Sequence, residues 1–256
     1  MKFIEVVKTG RVTTITLNRP QAMNAINPAM HDELQIAFDD FAADPDQFIC
    51  VVTGAGERSF CAGSDLKAAE SYRGYPRNGY AGLIERFDLV KPVIAAVNGV
   101  ALGGGFEIAL ACDLIIAAEC ASFGLPEPLV GAVALGGGLH RLSRQIGSKA
   151  AMGLVLSSRQ VSAAEGMRLG FVNEVVPAGR LNSAVERWCA DILRASPMSI
   201  RASKETMMRG LDEPSLEAAI RNQHAYPAYA AWYDSEDARE GPAAFAEKRA
   251  PVWQGR

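Results

Sequence analysis

Residues 93–112 carry the pattern that most restricts the fold. Val93-Ile94-Ala95-Ala96-Val97 is apolar, Asn98-Gly99 breaks it, and Gly103-Gly104-Gly105 opens onto Phe106-Glu107-Ile108-Ala109-Leu110-Ala111-Cys112. The first run, β-branched at three positions with Pro92 before it, suits a strand buried on both faces. The second has helical length and no internal glycine or proline. Strand, loop and helix follow, with the glycines at the helix N-terminus. There the first N–H groups lack intrahelical partners and the dipole is positive, so an oxygen that becomes anionic during reaction is stabilised. Glu107 follows Gly104 by three residues, on the same helix face, and its side chain leans back toward that end. Glycine clusters also serve plain tight packing, and a first-turn glutamate also serves only the dipole. A dinucleotide-binding fingerprint is a poor match, because Ile108 stands where its last glycine is required.

The chain before this stretch opens with two short β-rich runs, residues 3–7 and 12–17, joined at Thr9-Gly10-Arg11 as a hairpin. Asn27-Pro28 reads as the cap and first position of a helix to about Ala43. Residues 48–53 suit a buried strand, and Ser59 to Lys67 is a tight loop of small residues. Residues 71–79 look like a ligand-covering loop, and residues 82–89 are expected to return to helix. After a strand at 113–118 comes a second tight segment, Ser122-Phe123-Gly124-Leu125-Pro126-Glu127-Pro128, which holds one acid between two prolines. Glu127 lies twenty residues past Glu107, and only the fold decides whether they meet. Gly136-Gly137-Gly138 precedes another amphipathic helix, residues 171–176 give the last strand, and the pattern is helical from Leu181. The expected organisation is an α/β core over residues 1–195 and a helical region over 196–256.

Composition excludes several classes. Lys plus Arg is 26 against 29 for Asp plus Glu, with no basic block, so nucleic acid is not an expected partner. No apolar run reaches membrane-spanning length without a charge or a glycine cluster. Five cysteines without a C-x-x-C pair fit a reducing compartment and no structural zinc. The first residues already read as a strand, so a cytoplasmic location is expected. His31, His140 and His224 lack metal-ligand spacing, and no G-x-S-x-G accompanies Ser64.

Ala62-Gly63-Ser64-Asp65-Leu66-Lys67, Ala101-Leu102-Gly103-Gly104-Gly105-Phe106-Glu107 and Phe123-Gly124-Leu125-Pro126-Glu127, in this order and spacing, resemble the enoyl-CoA hydratase/isomerase (crotonase) superfamily over nearly the whole chain. The resemblance implies a spiral of β-β-α units with a helical C-terminal region that builds trimers, often paired into hexamers. It implies an acyl-CoA thioester as substrate, with no metal or redox cofactor. It assigns the oxyanion-binding N–H groups to Ser64 and Gly104, and the two acids of a hydratase to Glu107 and Glu127. By the same resemblance, Ala62, Asp65, Leu66, Lys67 and Gly103 line the CoA or substrate path, while Phe245 and Lys248 belong to a C-terminal patch meeting CoA on a neighbouring subunit. One departure is Leu135, which stands where hydratases commonly have glycine near the catalytic water.

The function so implied is reversible addition of water to a trans-2-enoyl-CoA. Double-bond isomerisation and an acyl-CoA-binding scaffold with a decayed site remain alternatives. Asp65-Leu66-Lys67-Ala68-Ala69-Glu70 and the ending Ala250-Pro251-Val252-Trp253-Gln254-Gly255-Arg256 also look like crotonobetainyl-CoA hydratases.

Overall fold

The computed structural model describes residues 1–71 and 74–256. The strands are β1 (Ile4–Thr9), β2 (Val12–Leu17), β3 (Ile49–Gly54), β4 (Ser59–Cys61), β5 (Val93–Val97), β6 (Val100–Leu102), β7 (Leu114–Ala118), β8 (Ser122–Gly124), β9 (Val161–Ser162) and β10 (Glu174–Val176). They form a six-stranded sheet in the order β1-β2-β3-β5-β7-β10 and a four-stranded sheet in the order β4-β6-β8-β9. The expected hairpin is present as the antiparallel β1/β2 pair, and β2, β3, β5, β7 and β10 run parallel.

Alternation explains why the large sheet is covered on both sides. Cys50, Val52, Ala95, Val97, Ile115 and Ala117 face the main core, which also holds Met30, Leu34, Phe38 and Phe41 of helix α1 (Pro28–Ala43). The intervening residues Ile49, Val51, Ile94, Ala96, Ile116 and Ala118 face a second cluster with Leu181, Ala184, Val185 and Cys189. Asn27 accepts a hydrogen bond from the Met30 N–H and Pro28 takes the first helical position, so α1 starts where sequence places it.

The site is positioned by one topological feature. Each central strand of the large sheet leads into a strand of the small one, β3 into β4, β5 into β6 and β7 into β8. Strands β4, β6 and β8 are parallel neighbours, with Ser59 opposite Val100 and Leu102 opposite Gly124. Their C-terminal ends therefore deliver residues 62–67, Gly103 and residues 125–127 to one edge. Helix α2 (Gly104–Ala111) begins there, and α3 (Gly138–Ile146) packs against it. Ligands in α/β sheets gather at such strand ends.

The remaining helices are α4 (Ser148–Ser157), α5 (Ala163–Leu169), α6 (Leu181–Leu193), α7 (Pro197–Gly210), α8 (Leu216–Asn222), α9 (Pro227–Tyr233) and α10 (Glu236–Glu247). Pro197 and Pro227 occupy first helical positions, where the missing N–H costs nothing. Among the described residues, no helix is long and apolar enough to cross a membrane.

The helix expected over residues 82–89 does not form. Only a 3-10 turn, Tyr80–Gly82, is present, followed by turns. Ala81 and Gly82 both have positive φ, and a Cβ on Gly82 would sit 2.5 Å from the Gln35 Cα, so this segment packs against α1 instead of winding onward. The last strand is also shorter than its apolar run, with Phe171 and Val172 packed into the core ahead of it.

Candidate active site

Two backbone segments meet at the N-terminus of α2. Gly103, with φ +54, turns the chain out of β6, and its N–H donates to the Gly124 carbonyl at 2.9 Å. The Gly104 N–H, at the first helical position, has no intrahelical carbonyl to meet. Residues 63–65 run beside it, since a Cβ on Gly63 would lie 3.2 Å from the Gly104 nitrogen. Ser64 forms a parallel bridge with Ile26, in which Ile26 N–H donates to Gly63 O and Asp65 N–H donates to Ile26 O. That pattern uses the neighbours of Ser64 and turns the Ser64 N–H away from Ile26. Arg19 fixes the next residue through a 2.8 Å ion pair with Asp65, both side chains being mostly buried.

Gly105 and Gly104 are glycine for different reasons. A Cβ on Gly105 would strike the Cys61 carbonyl oxygen at 2.0 Å, whereas one on Gly104 would meet the Tyr80 ring and hydroxyl at 2.3 Å. The Tyr80 and Ser64 hydroxyl oxygens are also hydrogen-bonded at 3.2 Å. Cys61 is buried beneath the loop, its sulfur accepts from the Gly63 N–H at 3.4 Å, and burial pushes its thiol up to about 12.

Glu107 is only 3 % exposed, and its Oε1 accepts the Gly138 N–H at 2.9 Å. The Gly136 backbone N–H acts on the same carboxyl, favouring its ionised form. A Cβ on Gly136 would sit 2.3 Å from Glu107 Oε2 and one on Gly138 would sit 2.8 Å from its Cγ. The second glycine triplet is therefore a cradle for a buried carboxylate. Burial raises Glu107 to about 7 and the charge of Glu127 pushes the same way, while the two N–H groups and Arg141 oppose the rise. Arg141 extends from α3 to donate to the Ile84 carbonyl at 2.6 Å, which ties the cradle to the Tyr80 segment.

Glu127 opens a 3-10 turn (Glu127–Val130), and Gly131, with φ +71, ends it. Its Oε1 lies where a Cβ on Gly103 would approach within 3.0 Å, and its Oε2 is buried without a hydrogen-bond partner among the described residues. Burial raises its pKa as well. Two carboxyls thus border the glycine end of α2, both biased toward the protonated form at low pH.

The other residues singled out in the sequence divide by location. Ala62 N–H donates to Met23 O, and Leu66 and Lys67 are exposed at the start of a 3-10 turn (Leu66–Ser71) whose first turn is tied by Asp65. Leu135 presents its side chain outward at 76 % exposure, and the glycines that Glu107 requires are its successors Gly136 and Gly138. Phe245 and Lys248 are exposed at the end of α10, which packs on α7 and α9. The expected covering loop falls partly outside the described residues, Tyr72 included.

Sequence reasoning missed Tyr80, His31 and the cradle. His31 is a buried partner of this site's scaffold, its Nδ1 accepting the Ala81 N–H at 2.9 Å, and burial lowers it to about 4. The cradle has a signal in the three consecutive glycines, which precede a helix and match the hydratases' glycine run near the catalytic water without showing which side chain they hold.

Residues 8–256 match the family model for enoyl-CoA hydratase/isomerase. A carnitinyl-CoA dehydratase from Salmonella typhi is 42% identical over 259 residues, covering 99% of this chain and 98% of that protein. The solved structure of an enoyl-CoA hydratase from Mycobacterium tuberculosis H37Rv is 36% identical, with a TM-score of 0.93 and 100% of both chains covered. That of a carnitinyl-CoA hydratase from Mycobacterium avium is 42% identical, with a TM-score of 0.78 and the same full coverage.

Proposed function

The chain belongs to the enoyl-CoA hydratase/isomerase family and is a lyase of the hydratase type, and on that footing we propose that Glu107 and Glu127 add one water across the double bond of a trans-2-enoyl-CoA. The observation that carries this reading is the pair of carboxyls beside the glycine end of α2, Glu107 buried and Glu127 half-buried, both raised above the ordinary carboxylate range by desolvation. Addition of water requires one base and one acid, and two neighbouring carboxyls, one ionised and one protonated, supply both.

In this mechanism the Ser64 and Gly104 N–H groups hold the thioester oxygen. Ionised Glu107, kept in place by the Gly138 N–H, takes a proton from water as its oxygen bonds to the β-carbon. The double-bond electrons move toward the thioester, whose oxygen becomes enolate-like, and Glu127 delivers its proton to the α-carbon. One water is consumed and the pair still holds one proton. Each backbone donor to such an oxyanion contributes about 3 kcal/mol to lowering the barrier. Acid–base chemistry of this kind needs no metal or redox cofactor.

A second reading of the acyl group is favoured by the relatives, since those named for carnitinyl-CoA are 42% identical and the enoyl-CoA hydratase of Mycobacterium tuberculosis 36%. Crotonobetainyl-CoA would place a quaternary ammonium near two carboxyls, which is electrostatically favourable. Ala62, Asp65, Leu66, Lys67 and Gly103 are proposed to line the CoA path, and Phe245 and Lys248 to meet CoA held by a neighbouring copy. The exposed Met207, Met208, Leu211, Leu216 and Ile220 of the C-terminal region, residues 196–256, are consistent with a trimer or a dimer of trimers. The proposed location is cytoplasmic.

The test is mass-spectrometric product analysis with crotonyl-CoA, a longer 2-enoyl-CoA and crotonobetainyl-CoA. Gain of one water on any of them supports hydration and identifies the acyl class. A shifted double bond without added water means isomerisation, and bound but unchanged thioesters mean a binding protein.

A further inference from the structure

We propose that Asn24 is a positioning residue of the hydration site: its buried side-chain amide anchors the segment whose Ile26 N–H holds the Gly63–Ser64 peptide with the Ser64 N–H turned toward the thioester oxygen. The proposal rests on the acyl-CoA reading of this site. The Ile26 N–H donates to Gly63 O at 2.8 Å, and the Asp65 N–H donates to Ile26 O at 2.9 Å. In a trans peptide the C=O and the following N–H point in opposite directions. A Gly63 carbonyl drawn to Ile26 therefore aims the Ser64 N–H to the other side, the direction in which the mechanism requires it. Gly63 has φ +93, and glycine lets this peptide rotate with little steric resistance. A rotated peptide would present a carbonyl oxygen to the enolate in place of an N–H. The direction of this donor is thus held by a partner and not by its own backbone.

Asn24 fixes that partner. It is fully buried, and its backbone is left-handed at φ +55, next to Met23 at φ +53. Asparagine adopts this conformation more readily than most non-glycine residues. The Asn24 N–H donates to Arg19 O at 2.9 Å and Asn24 Oδ1 accepts the Arg19 N–H at 3.0 Å, which closes the turn over residues 19–24. Asn24 Nδ2 donates to Ala55 O at 3.0 Å and to Ser59 O at 2.8 Å, which bolts the closed turn onto the chain just past β3 and onto the start of β4.

The site loop is carried by this turn. Met23 O accepts the Ala62 N–H at 3.0 Å and the Ser59 hydroxyl at 2.8 Å, and Ile26 engages Gly63 and Asp65. The Arg19 guanidinium, at the other end of the turn, donates to Ala25 O at 2.6 Å and to Asp65 at 2.8 Å. Residues 23–26 and 62–65 thus form one hydrogen-bonded ladder, and Asn24 ties it to both sheets. A donor fixed before the substrate arrives stabilises the developing oxyanion without reorganisation.

Asn24→Gly keeps the left-handed backbone accessible and removes all three side-chain bonds. Asn24→Asp keeps the shape and the acceptor for Arg19 but sets an oxygen against the Ala55 and Ser59 carbonyls. Ser64→Pro removes the N–H itself, which the ladder does not use. Turnover of crotonyl-CoA and the infrared carbonyl stretch of bound thioester-13C crotonyl-CoA are measured for each variant and for Asn24→Gly combined with Ser64→Pro. Both Asn24 variants are expected to lose about tenfold to a hundredfold in kcat/KM, with kcat falling more than KM rises, and to shift the carbonyl band toward its free-solution frequency. Added to Ser64→Pro, Asn24→Gly lowers kcat by less than about threefold further, because the donor it positions is already gone. An Asn24 variant with a lowered Tm but the parent's kcat and carbonyl band overturns the proposal, as does an Asn24→Gly effect equally large in Ser64→Pro. Hydrogen exchange of the parent, read by mass spectrometry, covers the case in which the variants do not fold: the Ile26 amide is expected to be protected, and exchange as fast as that of an exposed loop amide overturns the proposal. A parent protein that polarises the carbonyl, loses that polarisation in Asn24→Gly and yet adds no water leaves this positioning role in place and removes the hydratase reading instead.

Discussion

Replacing Glu107 by glutamine is expected to stabilise the protein at alkaline pH while removing its activity. Glu107 is buried, and its carboxyl is raised from 4.5 to about 7 in the folded chain. Because the folded value lies above the unfolded one, the stability this group contributes is complete below about 4.5 and is lost as pH rises through about 7. A displacement of that size corresponds to about 3 kcal/mol of destabilisation above pH 8. Glutamine cannot ionise, and its oxygen still accepts the Gly138 N–H, but its amide nitrogen then faces the Gly136 N–H and forfeits about 1 kcal/mol. The net gain at pH 8 is about 2 kcal/mol, or about 4–8 °C in Tm for a chain of this size, shrinking to near zero or below by pH 5. Thermal unfolding of both proteins at pH 5 and pH 8 measures it. A Glu107→Gln protein that is less stable at pH 8, or whose difference from the parent does not change with pH, refutes the assignment of a buried, proton-retaining carboxyl.

The two carboxyls set the pH dependence of activity, so kcat/KM of the parent is expected to rise from pH 5.5 toward about 7 as Glu107 ionises and to fall again once Glu127 loses the proton it delivers; a profile that is flat from pH 5.5 to 7 contradicts the role of Glu107 as the base. Gly136→Ala sets a Cβ 2.3 Å from Glu107 Oε2. The carboxylate must swing aside, so kcat is expected to fall about a hundredfold while Tm changes little. Native thiol titration is expected to label Cys120 alone, since Cys50, Cys61, Cys112 and Cys189 are buried. Arg19→Met leaves Asp65 without its buried partner, and weaker crotonyl-CoA binding is expected from a loosened Ser64 segment, read as a raised KM.

Much of the fold was legible because local chemistry and tertiary packing agree. The run at residues 93–97 is fully buried on both faces, as its unbroken apolar character implies, and the helix starts at Gly104 because Gly103 turns sharply before it, while Gly105 in its first turn lets it approach Cys61 closely. The pairing of Glu107 with Glu127 was not legible from spacing. It depends on β6 and β8 being parallel neighbours that end at the same edge, a non-local fact that only family resemblance anticipated. The cradle at Gly136 and Gly138 was hidden for a related reason: glycine there is required by a side chain some thirty residues earlier, not by its own turn. The segment after Tyr80 misled because its composition tolerates a helix, whereas contact with Gln35 selects the left-handed backbone at Ala81 and Gly82.

The most direct test of the central claim is incubation of crotonyl-CoA with the parent and with Glu127→Gln in water labelled with oxygen-18, followed by mass spectrometry of the thioester. A 3-hydroxyacyl product carrying one labelled oxygen, formed by the parent and reduced at least about a thousandfold in Glu127→Gln, is the expected result. Labelled product formed at similar rates by both proteins would contradict a two-carboxylate hydration.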